Sequence, residues 1–125
     1  MNKKILAVDD EIDVLLIVKT ALRSAGFDVE TTTNGNDALT LARADPPDLI
    51  ILDVMMPGMT GFDVMRELKR IENTCMIPII MLTGVSERSK IQEALSNGTT
   101  YYMIKPFDLD QMLEKVRNAL DGIEG

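Results

Sequence analysis

Four polar stops after apolar runs carry the chemistry open to this chain. Asp9 and Asp10 follow Ile5-Leu6-Ala7-Val8, and Asp53 follows Leu49-Ile50-Ile51-Leu52. Thr83 follows the run Ile77 to Leu82, and Lys105 follows Thr100 to Ile104. Singly, each has an ordinary explanation. An acidic pair ahead of a helix caps it and complements its dipole. Asp53 starts a turn, Thr83 satisfies a strand end, and Lys105 is a solvated lysine. Jointly those explanations are poor. Carboxylates gathered at one edge repel one another unless a cation joins them. Oxygen ligands suit a hard divalent ion, and Mg²⁺ takes one or two carboxylates with waters and a phosphate oxygen. A lysine beside them offers a point charge to a phosphoryl group.

Such a gathering needs strands whose carboxyl ends share an edge, and the chain supplies them. Short β-type runs alternate with helix-type segments five times. A helix is expected over Glu11 to Ala25, with Ile12, Leu15, Leu16, Lys19 and Leu22 largely on one stripe and Gly26 past its end. Phe27 to Thr32 alternates and reads as a strand, and Asn34-Gly35 as a turn. Asn36 to Ala44 is a short helix stopped by Pro46-Pro47. Phe62 to Ile71 is helical, and Ser86 caps a helix running to Ser96. Leu109 to Leu120 is a last amphipathic helix with Asp108 as its cap. Strands apolar throughout imply burial on both faces, as in a parallel sheet covered by helices. Open parallel sheets place ligands outside the carboxyl ends of their strands, where the polar stops fall.

Composition narrows the function classes. A chain of 125 residues is one domain with enough bulk for a core. Thirteen basic against twenty acidic residues give a net charge of −7, which argues against direct nucleic-acid binding. Histidine is absent, so imidazole catalysis and histidine metal sites are excluded. The single cysteine, Cys75, forms no internal disulfide and reads as a small hydrophobe before a strand. The nine methionines read as loop and core filling. Neither a signal peptide nor a membrane-length apolar run is seen, so a cytoplasmic protein with no membrane partner is expected.

The segment Leu49 to Gly61, with Asp53-Val54-Met55-Met56-Pro57-Gly58 at its centre, resembles the phosphoacceptor segment of response-regulator receiver domains. Val8-Asp9-Asp10-Glu11 resembles their acidic pair, and Thr83 with Tyr102-Met103-Ile104-Lys105-Pro106-Phe107 resembles the rest of their site. The resemblance runs the whole chain in order. It implies a flavodoxin-like (βα)5 sandwich: a five-stranded parallel sheet of order 2-1-3-4-5 with helices on both faces. It implies a receiver domain over 1–121, with 122–125 a short tail or cut end. It implies that Asp53 takes a phosphoryl group from the phosphohistidine of a sensor histidine kinase or phosphotransfer protein. Mg²⁺ is then bound by Asp10, Asp53 and the backbone carbonyl of Met55, with Asp9 acting through a water. Lys105 pairs with Asp53 and then with the phosphoryl oxygens. Thr83 moves its hydroxyl onto the phosphoryl group, and Tyr102 swings its ring as Thr83 moves. The Lys105-Pro106 peptide is cis. Such a protein is a phosphoacceptor that assists its own phosphorylation and dephosphorylation, and not a turnover enzyme. Phosphoryl transfer needs positioning and charge neutralisation more than acid–base work, so a chain without histidine can do it.

Some residues depart from the family pattern. Gly84 replaces the usual alanine, and Thr99-Thr100-Tyr101 the common Ala-Asp-Asp. Met55 and Val85 stand where other members carry polar groups, from which slow loss of phosphate is expected. Two alternatives remain beside the phosphoacceptor. One is a degenerate receiver acting as an unphosphorylated interaction module, against which the five retained polar residues argue. The other is a small Mg²⁺-dependent aspartyl-phosphate phosphatase. That class wants a second aspartate two residues after its nucleophile, where Met55 sits. The face of the helix over 86–96, the last strand and the last helix is open to two readings. It is a homodimer contact using Tyr101, Lys90, Glu93 and Arg117, or a solvated surface.

Overall fold

A computed structural model describes residues 2–84, 92 and 101–122. In chain order the described elements are β1 (Lys4–Val8), α1 (Ile12–Ser24), β2 (Asp28–Thr32), α2 (Gly35–Ala44) and β3 (Leu49–Asp53). They continue with α3 (Gly61–Arg70), β4 (Ile79–Thr83), β5 (Tyr101–Ile104) and α4 (Leu109–Leu120). The strands form one parallel sheet of order β2-β1-β3-β4-β5, as expected. The helix expected over 86–96, and with it Val85, Lys90 and Glu93, lies outside the described residues apart from Gln92.

Alternation along each strand divides the core in two. Ile5, Ala7, Leu49, Ile51, Ile80, Leu82, Tyr101 and Met103 pack with Leu15, Val18 and Leu22 of α1 and Met112, Val116 and Ala119 of α4. Leu6, Val8, Ile50, Leu52, Ile79 and Met81 pack with Ala38, Leu39 and Ala42 of α2 and Val64, Met65 and Leu68 of α3. The three central strands are therefore apolar on both faces, the pattern a doubly covered parallel sheet demands.

The structure corrects several expectations. The buried stripe of α1 is Leu15-Val18-Leu22, whereas Ile12 and Leu16 are 71% and 62% exposed. Helical periodicity alone admits both stripes. Tyr101, expected on an exposed outer face, is 5% exposed, because the strand's alternation turns it into the α1/α4 core. Tyr102 is the half-buried ring, packed from the opposite face. Asn34 is a helix cap more than a turn residue: its side chain accepts from Asp37 N at 2.9 Å.

Helix ends are made locally. Gly26, at φ +95°, closes α1 with Phe27 N donating to Leu22 O and Gly26 N to Arg23 O. Asp108 caps α4 as expected, accepting from Asp110 N at 2.7 Å. β4 begins at Ile79 rather than Ile77, after Pro78, whose carbonyl still accepts from Ile50 N at 3.0 Å.

Candidate phosphoryl and cation site

Register brings the polar stops together. Val8 lies opposite Leu52, Asp53 opposite Leu82, and Thr83 opposite Ile104. The ladder then runs just past the strand ends. Asp9 N donates to Thr32 O at 3.2 Å, Val54 N to Leu82 O at 2.9 Å, and Lys105 N to Thr83 O at 2.8 Å. Side chains following adjacent strands are thus held at one level along one edge. The Lys105-Pro106 peptide is cis.

The ammonium of Lys105 ties the cluster. Its Nζ lies 2.8 Å from Asp9 Oδ2, 3.3 Å from Asp53 Oδ1 and 3.6 Å from Glu11 Oε1. Asp9 and Asp53 are buried, and Asp10 is exposed. Asp9 Oδ1 accepts from Glu11 N at 2.9 Å, and Asp53 Oδ1 from Met55 N at 3.4 Å. Thr83 is buried, and its hydroxyl donates to Gly84 O at 3.0 Å. Period-two alternation puts Thr83 on the same face of the sheet as Tyr102, the α2/α3 face.

Burial, and then the neighbouring Asp9 charge, push the Asp53 carboxyl from 3.8 up to about 7; Lys105 opposes that rise. Burial also works to lower the Lys105 ammonium, but its hydrogen bond to Asp9 and the charge of Asp53 outweigh it and hold the pKa above its ordinary value. The site is therefore short of positive charge. One lysine does not fully offset the acids gathered around it.

A divalent cation fits that deficit. Asp9, Asp10 and Asp53 each offer a carboxylate oxygen, and these atoms lie within 4.8 Å of one another. An all-oxygen donor set with one exposed member suits a hard, partly hydrated ion.

The loop after β3 presents Asp53. Gly61 N donates to Val54 O at 2.9 Å, folding the loop back onto the end of β3. A Cβ on Gly61 would collide with the carbonyl oxygen of Asp53 and stand 2.9 Å from Val54 Cα. Gly58 turns the chain at φ +78°. Thr60 and Asp63 then form a reciprocal capping box that starts α3. Met55 is exposed in this loop.

The structure brings Asp9, Asp10, Asp53 and Lys105 into one cluster, with Thr83 at the neighbouring strand end and Tyr102 packed on the sheet behind it. Glu11 has no role in the sequence pattern, and Gly61 enters it only as the end of the phosphoacceptor segment. Glu11 was signalled by its place directly after the acidic pair. Gly61 had no local signal, because its neighbour is the backbone of a residue eight positions earlier.

Comparison with known proteins agrees with this geometry. Residues 5–117 match the family model described as the response regulator receiver domain. The alkaline phosphatase synthesis transcriptional regulatory protein PhoP of Bacillus subtilis is 39% identical over 120 residues, covering 96% of this chain and 49% of that protein. The DNA-binding dual master transcriptional regulator RpaA of Synechocystis is 38% identical over 117 residues, covering 94% of this chain and 48% of that protein. The chain thus spans about half the length of these curated relatives. Among solved structures, the chemotaxis protein CheY4 of Vibrio cholerae superposes with a TM-score of 0.89 at 36% identity, covering 95% of this chain and 99% of that one. A response regulator from Chloroflexus aurantiacus gives 0.91 at 30% identity, covering 97% and 99%.

Proposed function

The chain belongs to the response regulator receiver family, and on that premise we propose that it is a phosphoacceptor whose Asp53 takes a phosphoryl group from a phosphohistidine. The observation that carries this reading is the buried Asp9–Asp53 pair sharing the Lys105 ammonium at the carboxyl edge of a parallel sheet. A P–O bond forms at an Asp53 carboxylate oxygen as the P–N bond to the donor imidazole breaks. Asp53 is held in place by its strand, and Lys105 is close enough to follow the charge onto phosphoryl oxygens. Asp10, Asp53 and the Met55 carbonyl would hold Mg²⁺, with Asp9 acting through a water; the ion supplies charge neutralisation for the transferring group. Thr83 would turn its hydroxyl from Gly84 O to the phosphoryl group, and Tyr102, on the same face of the sheet, would follow. Addition of about two negative charges is the signal.

The donor is a sensor histidine kinase or phosphotransfer protein. It must cover the edge that carries Asp53, and an apolar groove lies there. Val14 and Ile17 of α1 line it together with Pro106, Phe107 and Leu109, and Glu11 and Lys105 are its charged members. Ile12 and Leu16 extend apolar surface along α1. No helix among the described residues is long and apolar enough to cross a membrane; a cytoplasmic place fits a kinase partner. The receiver unit is assigned to 1–121. The protein is a switch, not a turnover enzyme.

The test is incubation with acetyl phosphate or phosphoramidate and Mg²⁺, followed by intact-mass analysis. One labile phosphoryl addition is expected, and none in Asp53→Ala. No addition to the folded wild-type chain would favour the degenerate interaction module. Sustained turnover of phosphomonoesters would favour the phosphatase.

A further inference from the structure

Resting on the reading of Asp9, Asp10 and Asp53 as a divalent-cation site, we propose that Glu11 is a positioning residue that holds the Lys105 ammonium to the solvent side and keeps it from closing that site. Lys105 and a divalent ion compete for Asp53, and Asp9, which would reach the ion through a water, is the other partner of Lys105. Lys105 Nζ is 2.8 Å from Asp9 Oδ2 and 3.3 Å from Asp53 Oδ1. Both aspartates belong to the group whose oxygens lie within 4.8 Å of one another, and Glu11 does not. Glu11 is the acid within reach of Lys105, at 3.6 Å, that the cation leaves free.

The local structure prepares Glu11 for this. It is the N-cap residue of α1, yet its side chain makes no capping hydrogen bond. Its backbone N–H is instead tied to Asp9 Oδ1 at 2.9 Å. The base of the side chain is thus fixed to the acidic pair while its carboxylate, 63% exposed, is turned to Lys105. Asp, Asn, Ser and Thr are the usual caps; a glutamate there reaches further and caps less. An exposed pair of this kind is weak in itself. Its importance is differential. A cation held at Asp53, with Asp9 turned to its water, repels the ammonium and engages its partners, so the Glu11 contact strengthens as the cation enters. A contact made more fully in one state shifts the equilibrium toward it.

The test is calorimetric Mg²⁺ titration of the whole chain at about pH 8, above the range where Asp53 takes up protons. Glu11→Gln is expected to weaken Mg²⁺ binding about two- to fivefold, the scale of an exposed ion pair. Glu11→Asp keeps the charge but loses the reach, and is expected to weaken binding as Glu11→Gln does. In a Lys105→Met background Glu11→Gln is expected to change affinity by less than the single variant does. Near-wild-type affinity in Glu11→Asp would overturn the proposal in favour of a through-space charge effect. Unchanged affinity in both single variants would overturn any role for Glu11. A folded wild-type chain that binds no Mg²⁺ would overturn the cation site itself, and this proposal with it.

Discussion

Asp53 shows how one residue carries both a function and a cost. In the unfolded chain its carboxyl titrates near the ordinary 3.8, and in the fold near 7. The folded state therefore binds the proton more tightly than the unfolded one. Between those values stability falls as pH rises, the reverse of a salt-bridged surface carboxylate. The difference is fully developed above about pH 7 and absent below about pH 4. Asp53→Asn removes the buried charge while keeping the shape. Without divalent cation, the variant is expected to be more stable than wild type at about pH 8, by on the order of 1 kcal/mol, because water and Lys105 at this edge screen part of the shift. The gap should narrow toward pH 5 as wild-type Asp53 becomes protonated, and Mg²⁺ should narrow it at pH 8. Urea unfolding at the two pH values with chelator, then with Mg²⁺, measures this. A gap independent of both would mean that Asp53 bears no excess negative charge in the fold.

At the scale of elements, the loop between β3 and α3 is a device for presenting Asp53, and Gly61 is its fixed point. Its backbone lies so near the Asp53 carbonyl that a methyl group has no room, and backbone on both sides cannot step aside. Gly61→Ala is expected to cost about 1–3 kcal/mol, the range for overpacking a tight site, and to slow phosphorylation by acetyl phosphate through displacement of the loop. Thermal melts and the rate of mass gain measure the two effects; a variant with wild-type values for both would show that the loop yields freely. This loop also marks where sequence reading stops. The order of elements was legible because apolar strands and amphipathic helices carry their periods locally. The cluster was legible because Asp9, Asp53, Thr83 and Lys105 each end a strand. Gly61 was not, because the backbone it meets lies eight positions away in the chain, and Glu11 stood out only by following the acidic pair, since its partner Lys105 lies ninety-four positions away. The stripe of α1 was misread for a related reason: Ile12 and Leu16 satisfy the helical period as well as Leu15 and Val18 do, and only the sheet decides which is buried.

At the scale of the molecule, the two edges of the sheet are differently built. At the amino-terminal edge Lys4 ties Glu30 at 3.1 Å and Asp45 at 2.7 Å, while its backbone N–H donates to Asp48 at 2.8 Å. Those acids are engaged in structure. At the carboxyl edge the acids are gathered in the site, and beside them lie Ile12, Leu16, Ile17 and Leu109, all exposed apolar side chains. These exposed apolar side chains offer a protein donor contact area whose contribution to affinity does not depend on charge. Small phosphodonors need no such surface. Ile17→Glu, in the groove that Leu109 also lines, is therefore expected to lower phosphoryl transfer from a kinase phosphohistidine far more than transfer from acetyl phosphate. A central apolar contact is worth about 1–2 kcal/mol, so the ratio of the two rates should fall on the order of tenfold. The comparison is made on one preparation, with the two donors assayed side by side at equal Mg²⁺. Equal loss with both donors would place the fault in the site rather than in docking. No loss with either would move the donor's footprint off the α1 groove.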